Sequence, residues 1–147
     1  MLLYIIRILK TFFLFMIIDG AWLLYMNQRF YRHYLGYLFA DTVTYSWAIL
    51  FYILYSIAIN HFILIPYASA SGVMVSKLFF DGFLFGLVAY SAYDLTNQAT
   101  IKNWPLIVTV VDMFWGAVLT GIVVVLSHKF TLPTTALQSF QNSTWLK

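Results

Sequence analysis

Long apolar stretches alternate with short polar segments along most of the chain. Four of these stretches are long enough to cross a bilayer, which takes about 20 apolar residues in a helix. Short polar or turn-forming connections place consecutive helices antiparallel. The pattern predicts an all-α membrane protein, a four-transmembrane-helix antiparallel bundle. We expect the helices at about residues 4–26, 44–65, 73–93 and 104–126.

Turn-forming residues mark the breaks between these helices. Residues 66–72, Pro-Tyr-Ala-Ser-Ala-Ser-Gly, predict a short turn after the second helix. Residues 96–98, Thr-Asn-Gln, predict the end of the third helix. Residues 103–105, Asn-Trp-Pro, predict the start of the fourth, with the asparagine as cap and the proline in the first turn. Residues 27–42 form the longest connection.

The composition excludes two classes of protein. Hydrophobic residues make up 63% of the chain and charged residues 9%. Soluble domains carry roughly 25% charged residues, so a soluble globular protein and a disordered one are both excluded. The 147 residues form one domain, with the helices in 1–130 and a polar tail in 131–147. No cysteine is present, which excludes disulfides, thiolate metal sites and cysteine nucleophiles.

Basic residues set the expected orientation in the membrane. Four crossings place both termini on one side, and the cytoplasmic side of a membrane protein is enriched in lysine and arginine. Five basic residues lie on the side of the termini and three on the opposite, outer side, so we expect cytoplasmic termini. The two groups are Arg7, Lys10, Lys77, Lys129 and Lys147, and Arg29, Arg32 and Lys102.

Three of the predicted helices carry an aspartate each, which costs about 2.5–3.5 kcal/mol at the centre of a membrane helix. Asp19 and Asp112 lie at matching depths, about 10–12 Å below the outer ends of their helices. A tryptophan follows each of them on the same helix face, Trp22 and Trp115. The first and last helices of such a bundle are neighbours. We therefore expect both aspartates to face a shared cavity and to accept hydrogen bonds from the indoles.

Two interpretations of the Asp19–Asp112 pair follow. Two carboxylates this close do not both ionise cheaply, so they share a proton or hold a cation. The pair would then be a proton site, a cation site or a dyad for acid–base chemistry. In the structural alternative, each aspartate only hydrogen-bonds across helices and holds the bundle together.

Asp81 on the third helix also has two interpretations. Lys77 lies one turn earlier on the same face, which predicts an ion pair at the inner interface. Alternatively, Asp81 is an inner station of a proton or ion path that leads to the outer pair.

Small residues predict a close contact between the last two helices. Gly82 and Gly86 form a GxxxG face on the third helix, and Ala117 and Gly121 form a similar face on the fourth. Such faces let helix backbones approach closely in membranes.

Aromatic residues make up 20% of the chain, and many lie towards the outer side. They form either an interfacial belt or the wall of a cavity for a flat, apolar or cationic ligand. The three histidines lack metal-ligand spacing, so we expect no metal site and no cofactor. No phosphate-binding loop and no basic stripe are present, which excludes nucleic acid as a partner.

Residues 93–105, Tyr-Asp-Leu-Thr-Asn-Gln-Ala-Thr-Ile-Lys-Asn-Trp-Pro, resemble the signature of a bacterial family of predicted membrane proteins, the domain-of-unknown-function family 2177. The resemblance covers nearly the whole apolar length. It includes Asp19 with Trp22, the Asp-Gly pair at Asp81, and an Asp-x-x-Trp-Gly string that begins at Asp112. The resemblance implies a four-helix protein of the bacterial inner membrane and carries no activity with it.

The resemblance also draws attention to Asp94 and Asn97. Asp94 would join Asp19 and Asp112 around one outward cavity, with Asn97 as a neutral ligand. In the alternative, Asp-Leu-Thr-Asn only forms a helix end and turn. The complete expected ligand-binding set is Asp19, Trp22, Asp81, Asp94, Asn97, Trp104, Asp112 and Trp115.

Three functional hypotheses remain open at the level of sequence. The first is binding or transport of a small cationic or amphipathic ligand, or of a cation, with coupled protonation. The second is a membrane enzyme that uses the aspartate pair on a lipid or isoprenoid substrate. The third is a structural or accessory subunit of a larger membrane complex. The bilayer is the expected partner, and four helices are few for a monomeric transporter, so a homodimer is expected as well.

Overall fold

The computed structural model describes residues 2–68 and 72–130, and its regular structure in these ranges is helical throughout. The predicted all-α class is confirmed. The polar tail predicted at 131–147, with the basic residue Lys147, lies outside the described residues. The four long helices are α1 (Leu2–Met26), α2 (Tyr45–Tyr67), α3 (Val75–Thr100) and α4 (Leu106–Lys129).

Helices α2, α3 and α4 are long and apolar enough to cross a membrane. Helix α1 has 25 residues, which span about 37 Å at 1.5 Å per residue. It lies along α4, with contacts from Lys10 to Asp19. Helix α1 is not among the helices identified as candidate spans, so its own crossing stays a prediction. We call the side of the bundle that holds Leu2 and Lys129 the near side, and the opposite side the far side.

Helix α3 is longer than predicted. It continues to Thr100 instead of ending near residue 93. The Thr96 hydroxyl donates to the carbonyl of Ala92 at 2.6 Å, and the Thr100 hydroxyl donates to that of Thr96 at 2.7 Å. Because these hydroxyls are satisfied one turn back, polar residues do not end the helix here.

The start of α4 also differs from the prediction. Pro105 is the cap residue and the helix begins at Leu106, whereas Asn103 was expected to be the cap. Asn103 instead has a φ of 62°, in the left-handed region that asparagine tolerates. That conformation lets the chain reverse between α3 and α4 within residues 101–105.

The connection between α1 and α2 is more regular than the sequence suggests. A π-helical segment, Asn27–Tyr31, continues α1 and is followed by the short helices Arg32–Leu35 and Gly36–Leu38. Leu35 packs with Trp104 and Val108, at the start of α4. The connection therefore folds over the far end of the bundle.

Helices α3 and α4 make the closest contact in the bundle, as the small residues predict. A Cβ atom at Gly82 would come within 3.0 Å of the Cα of Gly121. A Cβ atom at Gly86 would collide with the carbonyl oxygen of Gly116 and the side chain of Thr120. Glycine is required at these positions because two backbones meet there.

Helix α2 packs mainly on α1, and its π-helical turn Asn60–Leu64 provides its larger contacts with α3 and α4. Buried Phe15, Ile59 and Leu119 fill the space between the helices. The other end of α2 contacts little of the bundle, and residues 45–51 are all exposed. A groove lies on the surface between α2 and α3, beside the π-helical turn.

The glycine contact gives a direct test of the fold. We expect Gly86→Ala to lower the free energy of unfolding in detergent by about 1–3 kcal/mol, because the added methyl group overpacks the α3–α4 contact. Gly20→Ala is the matched control, since a Cβ atom there meets nothing within 4 Å. The control should leave stability unchanged or slightly raised, because alanine is the better helix former. Equal losses in the two variants would contradict the packing.

Candidate functional site

Asp19 joins three helices. Its side chain is buried, with 6% of its surface exposed. The indole nitrogen of Trp115 on α4 donates to one carboxylate oxygen at 2.8 Å. The hydroxyl of Tyr52 on α2 donates to the other oxygen at 2.8 Å. Each oxygen thus has a donor from a different helix, which stabilises a carboxylate that has left water.

The two Asp-x-x-Trp strings meet face to face. The Trp22 and Trp115 rings stack, with centroids 4.1 Å apart and planes 8° from parallel. Trp22 donates from its indole nitrogen to the Tyr31 hydroxyl at 3.0 Å, and Tyr31 donates to Asp112 at 2.6 Å. Each aspartate is therefore held by the tryptophan of the opposite helix, directly for Asp19 and through Tyr31 for Asp112.

The sequence did not indicate that Tyr31 and Tyr52 belong to the site. Tyr31 lies in the connection that was expected to be a loop, and Tyr52 is one of several aromatic residues on α2. Burial, together with the hydrogen bond to Asp112, raises the pKa of the Tyr31 hydroxyl above its ordinary value. The group therefore keeps its proton and remains a donor.

Asp94 differs from both of these aspartates. Its side chain is fully buried, and neither carboxylate oxygen has a hydrogen-bond partner among the described residues. It lies on α3 at the level of Asp112, because Thr109 of α4 donates to Gln98 of α3 at 3.1 Å one turn farther along. Two ionised carboxylates at one level on adjacent helices repel each other. A buried carboxylate without a donor requires a proton or a cation.

Trp104 lies beside this cluster rather than within it. Trp104 is buried with Leu35 and Val108, and its indole nitrogen donates to the Thr109 hydroxyl at 3.0 Å. Its position is explained by packing under the connection. Asn97 follows Asp94 by three residues, so the two share a face of α3.

The sequence profile described as "Predicted membrane protein (DUF2177)" matches residues 4–128. The chain belongs to this family. The match includes α1 to α4 almost entirely, and with them every carboxylate of the cluster. No curated protein and no solved structure matches the chain.

In this member of the family, Asp81 lies apart from the other aspartates. Lys77 donates to it at 3.2 Å, which is the expected ion pair, and the Tyr67 hydroxyl donates to it as well. Asp81 precedes Asp94 by 13 residues on α3, a separation of about 20 Å along the helix. The structure therefore groups Asp19, Asp94 and Asp112 on the far half and leaves Asp81 on the near half.

Side chains that could act as metal ligands do not cluster in the part of the chain that the structure describes. Within residues 2–68 and 72–130, no set of three histidine, cysteine, aspartate or glutamate side chains could hold a metal ion. Tyrosine hydroxyls and a tryptophan indole contact Asp19 and Asp112 instead. These groups suit protons and weakly hydrated cations better than transition metals.

The donors to Asp19 give a second prediction. We expect Tyr52→Phe to lower the free energy of unfolding by about 1.5–3 kcal/mol, because it removes a hydrogen bond to a buried charged group. Tyr45→Phe is the matched control on the same helix, where the side chain is 71% exposed. Chemical unfolding in detergent, followed by circular dichroism, measures both. The assignment fails if Tyr52→Phe is as stable as the control.

Proposed function

We propose that this membrane protein binds a small cation, or a small amphipathic ligand with a cationic group, at Asp94 and Asp112, and that a proton leaves when the ligand enters. The observation that carries the proposal is the carboxylate of Asp94, which is fully buried and has no hydrogen-bond partner within residues 2–68 and 72–130. Transport of the ligand across the membrane would follow from alternating access to this site.

The three far-side carboxylates divide into two roles. Asp19 accepts a donor on each oxygen and so acts as a positioning residue that joins α1, α2 and α4. In the described part of the chain, Asp94 has no such donor, and Asp112 accepts one side-chain hydrogen bond, from Tyr31. The charge available to a ligand is therefore concentrated on Asp94 and Asp112.

The energetics of burial favour exchange between a proton and a cation. An ionised carboxylate away from water needs a compensating charge or proton. Two interacting carboxylates hold one proton or one cation more readily than they hold neither. Entry of a cation therefore displaces a proton, and this coupling is what a transporter needs.

Aromatic rings beside the carboxylates favour an organic cation. The stacked indoles of Trp22 and Trp115 are linked to Asp112 through Tyr31. Rings attract cations through their negative faces, with a gain of about 2 kcal/mol or more when water is excluded. An aromatic site with a carboxylate is typical of recognition of such ligands.

Binding of a lipophilic cation tests the proposal. We expect tetraphenylphosphonium to bind the purified protein with release of a proton, measured by equilibrium dialysis and by a pH indicator in weak buffer. Asp94→Asn and Asp112→Asn should each weaken binding roughly tenfold or more, because each removes a charge partner in a low-dielectric site. Asp81→Asn is the control, since it removes an aspartate of the near half.

The outcomes separate the interpretations. Loss of binding in both far-side variants, with normal folding, supports the proposal. If the wild type binds none of the three cations tetraphenylphosphonium, Na⁺ and K⁺, the proposal of a cation site is wrong. If all three variants bind equally, the site lies elsewhere.

A second candidate function is that of an accessory subunit in a larger membrane complex, and the exposed far half of α2 favours it. Tyr45 and Trp47 are 71% and 72% exposed, on a half-helix that contacts little of its own chain. Two bulky aromatics on such a surface suit a partner helix.

Cysteine crosslinking tests this surface, because the chain has no native cysteine. If the protein is an accessory subunit, crosslinking of Trp47→Cys in native membranes should give a product that joins this chain to a different protein. That product should be heavier than the monomer. A dimer band would instead indicate the homodimer expected of a transporter. Val110→Cys, near the far end of α4 and 56% exposed, is the control. Monomer alone from Trp47→Cys would contradict both assemblies.

A further inference from the structure

A groove lies on the surface between α2 and α3, on the near half of the bundle. Its volume is about 510 Å³, within the range of sites that hold small ligands. Six of its seven lining residues are apolar, and the seventh is Asp81. The lining residues are Phe62 and Ile63 of α2, and Asp81, Leu84, Phe85, Val88 and Ala89 of α3.

The groove follows one face of α3 into the membrane. Its α3 residues recur at three- and four-residue spacing from Asp81 to Ala89, a length of about 12 Å. Asp81 is about 9 Å from the start of α3, and the apolar part lies deeper. Leu84 and Val88 are 49% and 61% exposed, so the groove is open on its lipid side. An occupant therefore enters from the bilayer and has an apolar chain.

Two opposite charges stand at the near end of the groove. The Lys77 ammonium donates to Asp81 at 3.2 Å, and Tyr67 donates to the same carboxylate. The Lys77 side chain is 57% exposed, so donors of its ammonium remain available to a ligand. The Asp81 carboxylate has further acceptor sites of its own. The pair presents a cation and an anion side by side.

We propose that this groove binds a membrane phospholipid with a primary ammonium headgroup, such as phosphatidylethanolamine. One acyl chain lies along the α3 face, between Leu84 and Val88. The headgroup lies across the ion pair, with its phosphate on Lys77 and its ammonium group on Asp81. Charge complementarity favours this lipid, because the quaternary ammonium of phosphatidylcholine has no N–H to donate to Asp81, and the headgroup of phosphatidylglycerol carries no cation. The site is separate from the far-side carboxylates and does not depend on their role.

Lipid competition tests the proposal. The protein is reconstituted in nanodiscs that contain equal amounts of phosphatidylethanolamine, phosphatidylcholine and phosphatidylglycerol with identical acyl chains. Native mass spectrometry then counts the lipids that stay bound to the protein after it is released from the nanodiscs. We expect phosphatidylethanolamine to exceed phosphatidylcholine roughly tenfold, the effect of one hydrogen bond between charged groups. Equal retention of the two lipids would overturn the proposal.

Two pairs of variants locate the site. Asp81→Asn should abolish the preference for phosphatidylethanolamine while the chain still occupies the groove, and Lys77→Gln should weaken retention of all three lipids. Val88→Trp fills the groove and should remove the bound lipid. Val110→Trp is its control on α4, where the side chain is 56% exposed. If Val88→Trp fails to fold, Asp81→Asn decides, and a preference that survives this substitution contradicts the headgroup contact.

Discussion

The bundle depends on how it stabilises carboxylates that lie away from water. Asp19 and Asp112 are placed on helices that face each other, and the tryptophan of each helix serves the aspartate of the other. The two indoles stack where these bonds cross. This arrangement turns an unfavourable burial into a contact between α1 and α4, because donors replace the water that each carboxylate loses. Helix α2 joins the same contact through Tyr52, whose hydroxyl donates to Asp19.

The rest of the fold contains one closely packed helix pair, α3 and α4, and one more open helix pair, α2 and α3. Helices α3 and α4 meet at Gly82, Gly86 and Gly121, where backbones touch and no side chain can be added. Helix α2 packs mainly on α1, and a groove lies open on the surface between α2 and α3, beside the π-helical turn of α2. The tight pair carries Asp94 and Asp112 at one level, and the open side offers surface to the bilayer. The far-half charges of Asp94 and Asp112 are thus carried by the two helices that pack most closely.

The helices could be predicted from the sequence because apolar length and turn residues act locally. The position of each tryptophan beside its aspartate was also accessible, since the i, i+3 spacing places the two on one helix face. The stacking of the two rings was not predicted. Tyr31 could not be found in this way, because its position depends on a π-helical segment that folds the connection back over the bundle. The cap of α4 was predicted wrongly, since Asn103 uses its tolerance of a left-handed φ to reverse the chain. Long-range placement of a connection is set by tertiary contacts that no local pattern contains.

The hydroxyl of Tyr31 belongs to the connection, whereas the carboxylate that it binds belongs to a spanning helix. Any event that neutralises Asp112 weakens the bond that fastens the connection to the interior. Under the proposed function, occupancy of the buried site would then be transmitted through Tyr31 to the connection. A neighbouring molecule at the connection would sense the state of the interior without entering it.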